Sequence, residues 1–276
     1  MPDHILVTKL GKGNTGHLIQ HRHGVGDDGV AQLQILVGPE VRGISLTQGR
    51  CGAEQRCRAE AVHAVELDRD LVAGLHQRFD DQPRFSLTKG DVLEVPLLLP
   101  DDRPAGKVVA NIPYNITGPL LERLIGRLDR PVDPPYQRLV LLVQQEVAQR
   151  IRARPGHSSF SALSVRMQLL ARCRSVCAVP PRCFQPPPKV QSEVIALDPI
   201  PTHQRLEPDL ARRVEGLLKQ AFQSRRKMLR NTLASLAEPS DLEALAAAAG
   251  ITLQQRPQEV APQAWVALAK GLNRSE

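Results

Sequence analysis

Ala110-Asn111-Ile112-Pro113-Tyr114-Asn115-Ile116-Thr117 is the stretch from which the rest of the chain can be read. The apolar run Val108-Val109-Ala110 leads into it and reads as a buried strand. Asn111-Ile112-Pro113-Tyr114 then ends that strand with an amide, a rigid turn and an aromatic ring. An amide oxygen, a backbone carbonyl and a flat ring at a strand's end suit a planar heterocycle with an exocyclic amine. Such an amine is a poor nucleophile, because its lone pair is conjugated with the ring. Two acceptors on its protons, the Asn111 amide oxygen and the Ile112 or Pro113 carbonyl, draw the nitrogen toward tetrahedral geometry. That stabilises charge which develops only in the transition state. Tyr114 can stack on the base.

Around this stretch the chain alternates strand and helix. Residues 61–65 form a short apolar strand ending at Glu66. Leu67, Leu71, Leu75 and Phe79 have helical spacing. Residues 84–88 make a second strand, followed by Gly90-Asp91, and residues 107–110 a third. Thr117 is placed to cap a helix over 118–128. Residues 139–143 make a fourth strand, and a helix over 144–154 stops at Pro155-Gly156. A helix over 158–170, a proline-dense loop over 179–190 and a strand over 190–197 follow. After a linker at 199–203 the tail reads as helices over 209–236, 241–249 and 262–272. This cadence predicts an α/β, doubly wound sheet with a small all-α C-terminal domain. Ligands of such sheets bind beyond the carboxyl ends of the strands. Glu66, Asp91 and Asn111 occupy three such ends, 25 and 20 residues apart. An acid in that setting can accept from ribose hydroxyls or from an adenine amine.

The chain has 276 residues, 42% of them hydrophobic, which suffices for a core. Only 3% are aromatic, so an aromatic within a motif is informative. The net charge of +7 favours a polyanionic partner, nucleic acid before an anionic membrane. No apolar run approaches the roughly 20 residues of a membrane span. Met1-Pro2-Asp3-His4 lacks the form of a signal peptide, so a cytoplasmic protein is expected. Cys51, Cys57, Cys173, Cys177 and Cys183 form no pair of CxxC knuckles. Neither a metal site nor a disulfide framework is therefore expected.

Residues 1–58 lack sustained periodicity. Gly11-Lys12-Gly13-Asn14-Thr15-Gly16 matches G-x-G-x-x-G after the strand-like residues 5–10. Asp27 and Asp28, where a partner acid would fall, sit in a turn-like context, so the match reads as accidental. His17, His21 and His23 have no carboxylate or thiolate partners nearby, and read as a solvated segment.

Residues 110–117 resemble the signature of the adenine-N6 dimethyltransferases of small-subunit ribosomal RNA, the RsmA/KsgA family. Val65-Glu66-Leu67-Asp68-Arg69-Asp70-Leu71 resembles that family's acidic block, and Gly90-Asp91-Val92 its second cofactor acid. Gln145-Glu146-Val147-Ala148-Gln149-Arg150-Ile151, Phe160-Ser161-Ala162-Leu163-Ser164-Val165 and Phe184-Gln185-Pro186-Pro187-Pro188-Lys189-Val190 resemble later blocks. Gln223-Ser224-Arg225-Arg226-Lys227-Met228-Leu229-Arg230-Asn231 resembles the basic helix of the C-terminal domain. The resemblance spans about residues 60–272.

It implies a Rossmann-like methyltransferase sheet at residues 59–198 and a helical RNA-binding domain at 204–276, after an anomalous segment at 1–58. It implies S-adenosylmethionine as cofactor, its ribose on Glu66 and its adenine on Asp91. Asn111 would lie between cofactor and target amine, with Pro113 shaping the turn. Tyr114 and Phe184 would sandwich the target base. By helical spacing Leu218, Phe222, Leu229 and Leu233 share one face of the tail's first helix and Lys219, Gln223, Lys227 and Arg230 the other, with Arg226 at the border, so Arg226, Lys227 and Arg230 are the expected RNA-phosphate contacts. The implied reaction gives two methyls to each of two adjacent adenines near the 3′ end of small-subunit (16S) rRNA. The implied partner is the rRNA or immature 30S particle, met by a monomer.

Residues 1–58 depart from this pattern. The family's glycine-rich cofactor loop, Glu-x-Gly-x-Gly, is replaced by Leu36-Val37-Gly38-Pro39-Glu40-Val41-Arg42-Gly43. Glu40 and Arg42 put side chains where a backbone cradle is wanted. Either the chain is a natural variant with a lost cofactor site, or its first 58 residues are read in another frame; the second is preferred. Weak binding of S-adenosylmethionine is expected. A non-catalytic ribosome-assembly factor is the competing reading. A DNA-adenine methyltransferase is disfavoured, because its motif usually leads with Asp.

Overall fold

The computed structural model describes residues 4–8, 61–99, 101–102, 104–184 and 186–272, the first five as backbone alone. The histidine triplet, Cys51, Cys57 and both glycine-rich stretches, 11–16 and 36–43, lie outside these residues. The strands are β1 His4–Thr8, β2 Ala61–Glu66, β3 Phe85–Lys89, β4 Lys107–Asn111, β5 Arg138–Gln144, β6 Ala171–Val179 and β7 Ser192–Pro199. The helices are α1 Arg69–Phe79, α2 Thr117–Ile125, α3 Gln145–Arg152, α4 Ala162–Leu170, α5 Pro208–Phe222, α6 Leu229–Thr232, α7 Pro239–Ala248 and α8 Pro262–Gly271. Among the described residues, no helix is long and apolar enough to cross a membrane.

The seven strands form one sheet in the order β3-β2-β1-β4-β5-β7-β6. β1 to β5 run parallel, and β7 is antiparallel to β5. Order reverses between β1 and β4, the switch point at which a doubly wound sheet opens a crevice. Leu139 to Val143 of β5 are all buried. Successive side chains point to opposite faces, so both faces of this strand are covered.

Two compact units emerge: residues 1–123, 136–145 and 174–198, and residues 124–135, 146–173 and 199–276. The first holds the parallel strands and an apolar cluster of Val62, Val109, Val140, Leu142, Val179, Phe184 and Val194. In the second, Trp265 of α8 is fully buried, with its ring centroid 6.1 Å from that of Phe222 on α5. Arg166 of α4 and Glu215 of α5 pair at 2.7 Å within the same unit.

Four local expectations change. Residues 4–8 supply the central strand, within a segment that reads as lacking sustained periodicity; Ile5-Leu6-Val7 is apolar and β-prone enough for the slot. β6 went unread, because its exposure pattern has no clean alternation. Helix α2 starts at Thr117 after a 3-10 turn over Tyr114–Ile116, and the Thr117 hydroxyl donates to the Tyr114 carbonyl at 3.2 Å instead of capping. It stops at Ile125 because Gly126 has φ +88, a helix-ending conformation.

The long helix expected over 209–236 breaks into α5 and α6. Met228 is extended, and the N–H groups of Leu229 and Arg230 donate to the Gln255 and Leu253 carbonyls at 2.8 and 2.9 Å. Those carbonyls replace the intrahelical partners that a continuous helix would have supplied.

Candidate active site

The register puts the three strand-end residues in one region. Thr8 of β1 pairs with Val65 on one side and Ala110 on the other. Glu66 and Asn111 therefore stand one residue past Thr8 on its two neighbours. Glu66 pairs with Lys89, and its carbonyl accepts the Gly90 N–H at 3.0 Å, which brings Asp91 alongside.

Glu66 is buried, and its Oε1 accepts the N–H groups of Leu67 and Asp68 at 2.8 and 2.9 Å. Part of this acid's work is thus to hold the turn into α1, where Asp68 caps the helix by accepting from Asp70 and Leu71. Leu67 belongs to that turn and not to the helix: it is 64% exposed. Asp91 is half-buried, and its Oδ1 accepts the Leu93 N–H at 2.8 Å. The guanidinium of Arg123 on α2 donates to the carbonyls of Leu93 and Val95, pinning the loop that carries Asp91.

Asn111 has the most informative environment. Its side-chain Oδ1 is buried without a hydrogen-bond partner among the described residues. An unmade bond to a buried acceptor costs about 1–3 kcal/mol, which a donor arriving from outside would recover. The Ile112 N–H donates to Leu142 of β5 at 3.2 Å, fixing the backbone beside it. The Pro113 carbonyl accepts the Ile116 N–H at 3.0 Å and so belongs to the 3-10 turn. Asn111 Oδ1 thus stands beside a fixed Ile112 backbone as an acceptor without a partner among the described residues. Pro113, with φ −57, gives up no donor by starting that turn.

Tyr114 is half-buried, and its hydroxyl lies 2.5 Å from Oγ of Ser192, the fully buried first residue of β7. Ser192 pairs with Gln144 of β5, and the Gln145 N–H donates to the Gln191 carbonyl at 2.9 Å. Sequence reading missed Ser192; no local signal links it to a tyrosine 78 residues away.

Phe184 is expected at the target base opposite Tyr114. Its ring is 3% exposed and sits in the apolar cluster of the first unit, beside Val179 and Val194. Burial against aliphatic chains holds an aromatic ring more firmly than a stacked position open to water. Arg226, Lys227 and Arg230 are exposed, but the break after α5 puts the first two in a turn and the third on α6, not on one continuous stripe. Arg225 beside them is used internally: its Nε donates to Gln258 Oε1 at 3.0 Å. Cys177 and Cys183 are free thiols. Among the described residues, no group of three or more His, Cys, Asp or Glu could hold a metal.

The switch point of this doubly wound sheet thus carries an Asn-led strand end on β4 and, across β1, two acids at the ends of β2 and β3. The ribosomal RNA adenine dimethylase family matches residues 53–274. Ribosomal RNA small subunit methyltransferase A of Synechococcus sp. (strain CC9605) is 67% identical over 274 residues, covering 96% of this chain and all of that protein. The protein of the same name from Synechococcus sp. (strain CC9311) is 74% identical over 216 residues, 78% of each chain. Among solved structures, the 23S rRNA methyltransferase ErmE is 25% identical with a TM-score of 0.61, covering 78% of this chain and 83% of that one. A dimethyladenosine transferase from Plasmodium falciparum, at 21% identity, shares the fold with a TM-score of 0.60 over the same shares. The chain belongs to the ribosomal RNA adenine dimethylase family. Its cofactor is S-adenosylmethionine, and the residues fit: acids at the ends of β2 and β3, an exposed leucine between them in sequence, and an unpartnered acceptor at the end of β4.

Proposed function

We propose that the protein methylates N6 of two adjacent adenines near the 3′ end of small-subunit (16S) rRNA, giving N6,N6-dimethyladenosine during maturation of the small subunit. The observation that carries this reading is the buried, unpartnered Oδ1 of Asn111 at the carboxyl end of β4. S-adenosylmethionine, when bound, supplies an electrophilic methyl group. Asp91 and Glu66 would hold its nucleoside, and Leu67 would cover an apolar face of it. Asn111 Oδ1 and the Ile112 carbonyl accept the two protons of the adenine amine. They orient its lone pair along the line of displacement and favour the developing positive charge. Tyr114 offers its ring to the extruded base, held at its hydroxyl by Ser192. The surplus proton leaves to water, so no side chain is assigned as a base. Phe184 anchors the proline loop from within the apolar cluster and meets the base only if that loop rearranges. Arg226, Lys227 and Arg230 would contact RNA phosphates. The protein would act as a cytoplasmic monomer on the immature 30S particle.

The deciding experiment incubates the protein with S-adenosylmethionine and unmethylated small-subunit particles, then weighs the nuclease fragments of the rRNA. Two dimethylated adenines in one 3′ fragment are expected. RNA binding with no mass gain, together with no saturable cofactor binding in calorimetry, would establish the non-catalytic assembly factor instead.

A further inference from the structure

Beyond β3 the chain coils into a single turn over residues 91–95. The Asp91 carbonyl accepts the N–H groups of Glu94 and Val95, each at 2.9 Å. At the start of the turn Asp91 Oδ1 accepts the Leu93 N–H at 2.8 Å, and Oδ2 makes no hydrogen bond among the described residues. At its end the two terminal nitrogens of Arg123 donate to the carbonyls of Leu93 and Val95, one each. Arg123 is half-buried, its Nε is buried and unbonded, and it has no carboxylate partner among the described residues. A single turn does not hold itself, because fixing its dihedrals costs more than so few hydrogen bonds return. A cation on its last carbonyls offsets that cost. The turn also folds back on the strand it leaves: a β-carbon on Gly90 would overlap Val95 Cγ1. Where Arg123 holds Val95 therefore sets where the chain leaves Gly90, and with it the Asp91 carboxylate.

We infer that Arg123 is a positioning residue for the cofactor: by clamping residues 93–95 it fixes the carboxylate that accepts the adenine amine, and so sets selectivity for that base. The inference rests on the reading that Asp91 holds the adenine. Hypoxanthine carries a carbonyl oxygen where adenine carries its amine. A carboxylate oxygen accepts from the amine and repels the carbonyl, and it discriminates only when held in place. The planar fork of a guanidinium suits two carbonyls at once, whereas an ammonium acts as a point charge. The clamp does not extend to the target side, where the Ile112 N–H is anchored separately to the Leu142 carbonyl. Arg123 therefore governs cofactor binding and not the acceptor at Asn111.

The test titrates the full chain by calorimetry with S-adenosylhomocysteine and with S-inosylhomocysteine, its hypoxanthine counterpart. Wild type should bind the first several-fold more tightly. Arg123→Met removes both donors and keeps much of the stem. It should weaken the adenine form several-fold and leave the hypoxanthine form level, narrowing the preference, with Arg123→Lys between. Equal weakening of both ligands, or an unchanged preference, in folded Arg123→Met overturns the inference. Should that variant not fold, the same comparison is read from Arg123→Lys. Asp91→Asn keeps an acceptor for the Leu93 N–H and offers the base an NH2 group. A preference kept in Asp91→Asn overturns the reading of Asp91, and the inference with it. A preference lost there but kept in Arg123→Met overturns the inference alone. Wild type that binds neither ligand, or both alike, overturns both. In methylation assays Arg123→Met should raise the KM for S-adenosylmethionine and leave kcat at saturation near that of wild type. A fallen kcat with KM unchanged overturns the positioning role.

Discussion

The hydroxyl of Tyr114 and the Oγ of Ser192 lie 2.5 Å apart, joining the turn after β4 to the start of β7. Ser192 is fully buried, so its hydroxyl is shielded from water. Ser192→Ala should cost about 0.5–1.5 kcal/mol of stability, the net value of one hydrogen bond. Methylation should fall several-fold while cofactor affinity stays level. Tyr114→Phe should give a similar loss, and the double variant little more than either single, since both remove one bond. Additive losses in a double-mutant cycle would show that the two hydroxyls act separately.

Asn111→Ala removes the buried acceptor and leaves the backbone of β4 in place. Methyl transfer should drop by about 10²–10³-fold, the scale of losing one group aimed at a transition state. RNA affinity, measured by filter binding, should change little. Loss of RNA binding would make Asn111 a structural residue of the turn.

Phe184 distinguishes two roles by where its energy is spent. As a member of the apolar cluster, Phe184→Ala should destabilise the fold by about 3–5 kcal/mol in urea denaturation. Phe184→Leu keeps most of the buried volume and should retain both stability and methylation. Full stability with lost methylation in Phe184→Leu would place the ring against the base.

Gly126 holds a backbone that a side chain cannot share. Its φ is +88, and a β-carbon there would meet the Arg130 carbonyl oxygen and Pro131 Cα at 2.5 Å. Gly126→Ala should cost about 1–3 kcal/mol, read as a lower melting temperature.

His63 gives the fold an acid-sensitive group. Burial holds its pKa below the ordinary 6.5, and its Nδ1 is 2.8 Å from Ser86 Oγ. The unfolded chain therefore takes up a proton more readily than the folded one. The stability this neutral imidazole contributes is complete above pH 6.5 and is lost as pH falls toward the lowered value. Denaturation at stepped pH should show that decline, and His63→Gln should flatten it above the carboxylate range.

The sequence by itself determined the sheet's class and the strand ends that matter. Short apolar runs closed by Glu66, Gly90-Asp91 and Asn111 can be read without coordinates, because a two-residue period and a polar stop are local properties. So can Pro113 and Tyr114 as a turn with a ring. Only the tertiary structure decided the rest, since it depends on partners remote in the chain. Ser192 finds Tyr114 across 78 residues. Phe184 joins an apolar cluster with Val179 and Val194. Carbonyls of Leu253 and Gln255 break a helix whose spacing reads as continuous. A hydrogen bond or a buried contact between distant residues leaves no periodicity in either segment, and those bonds determine which groups are left for the substrate.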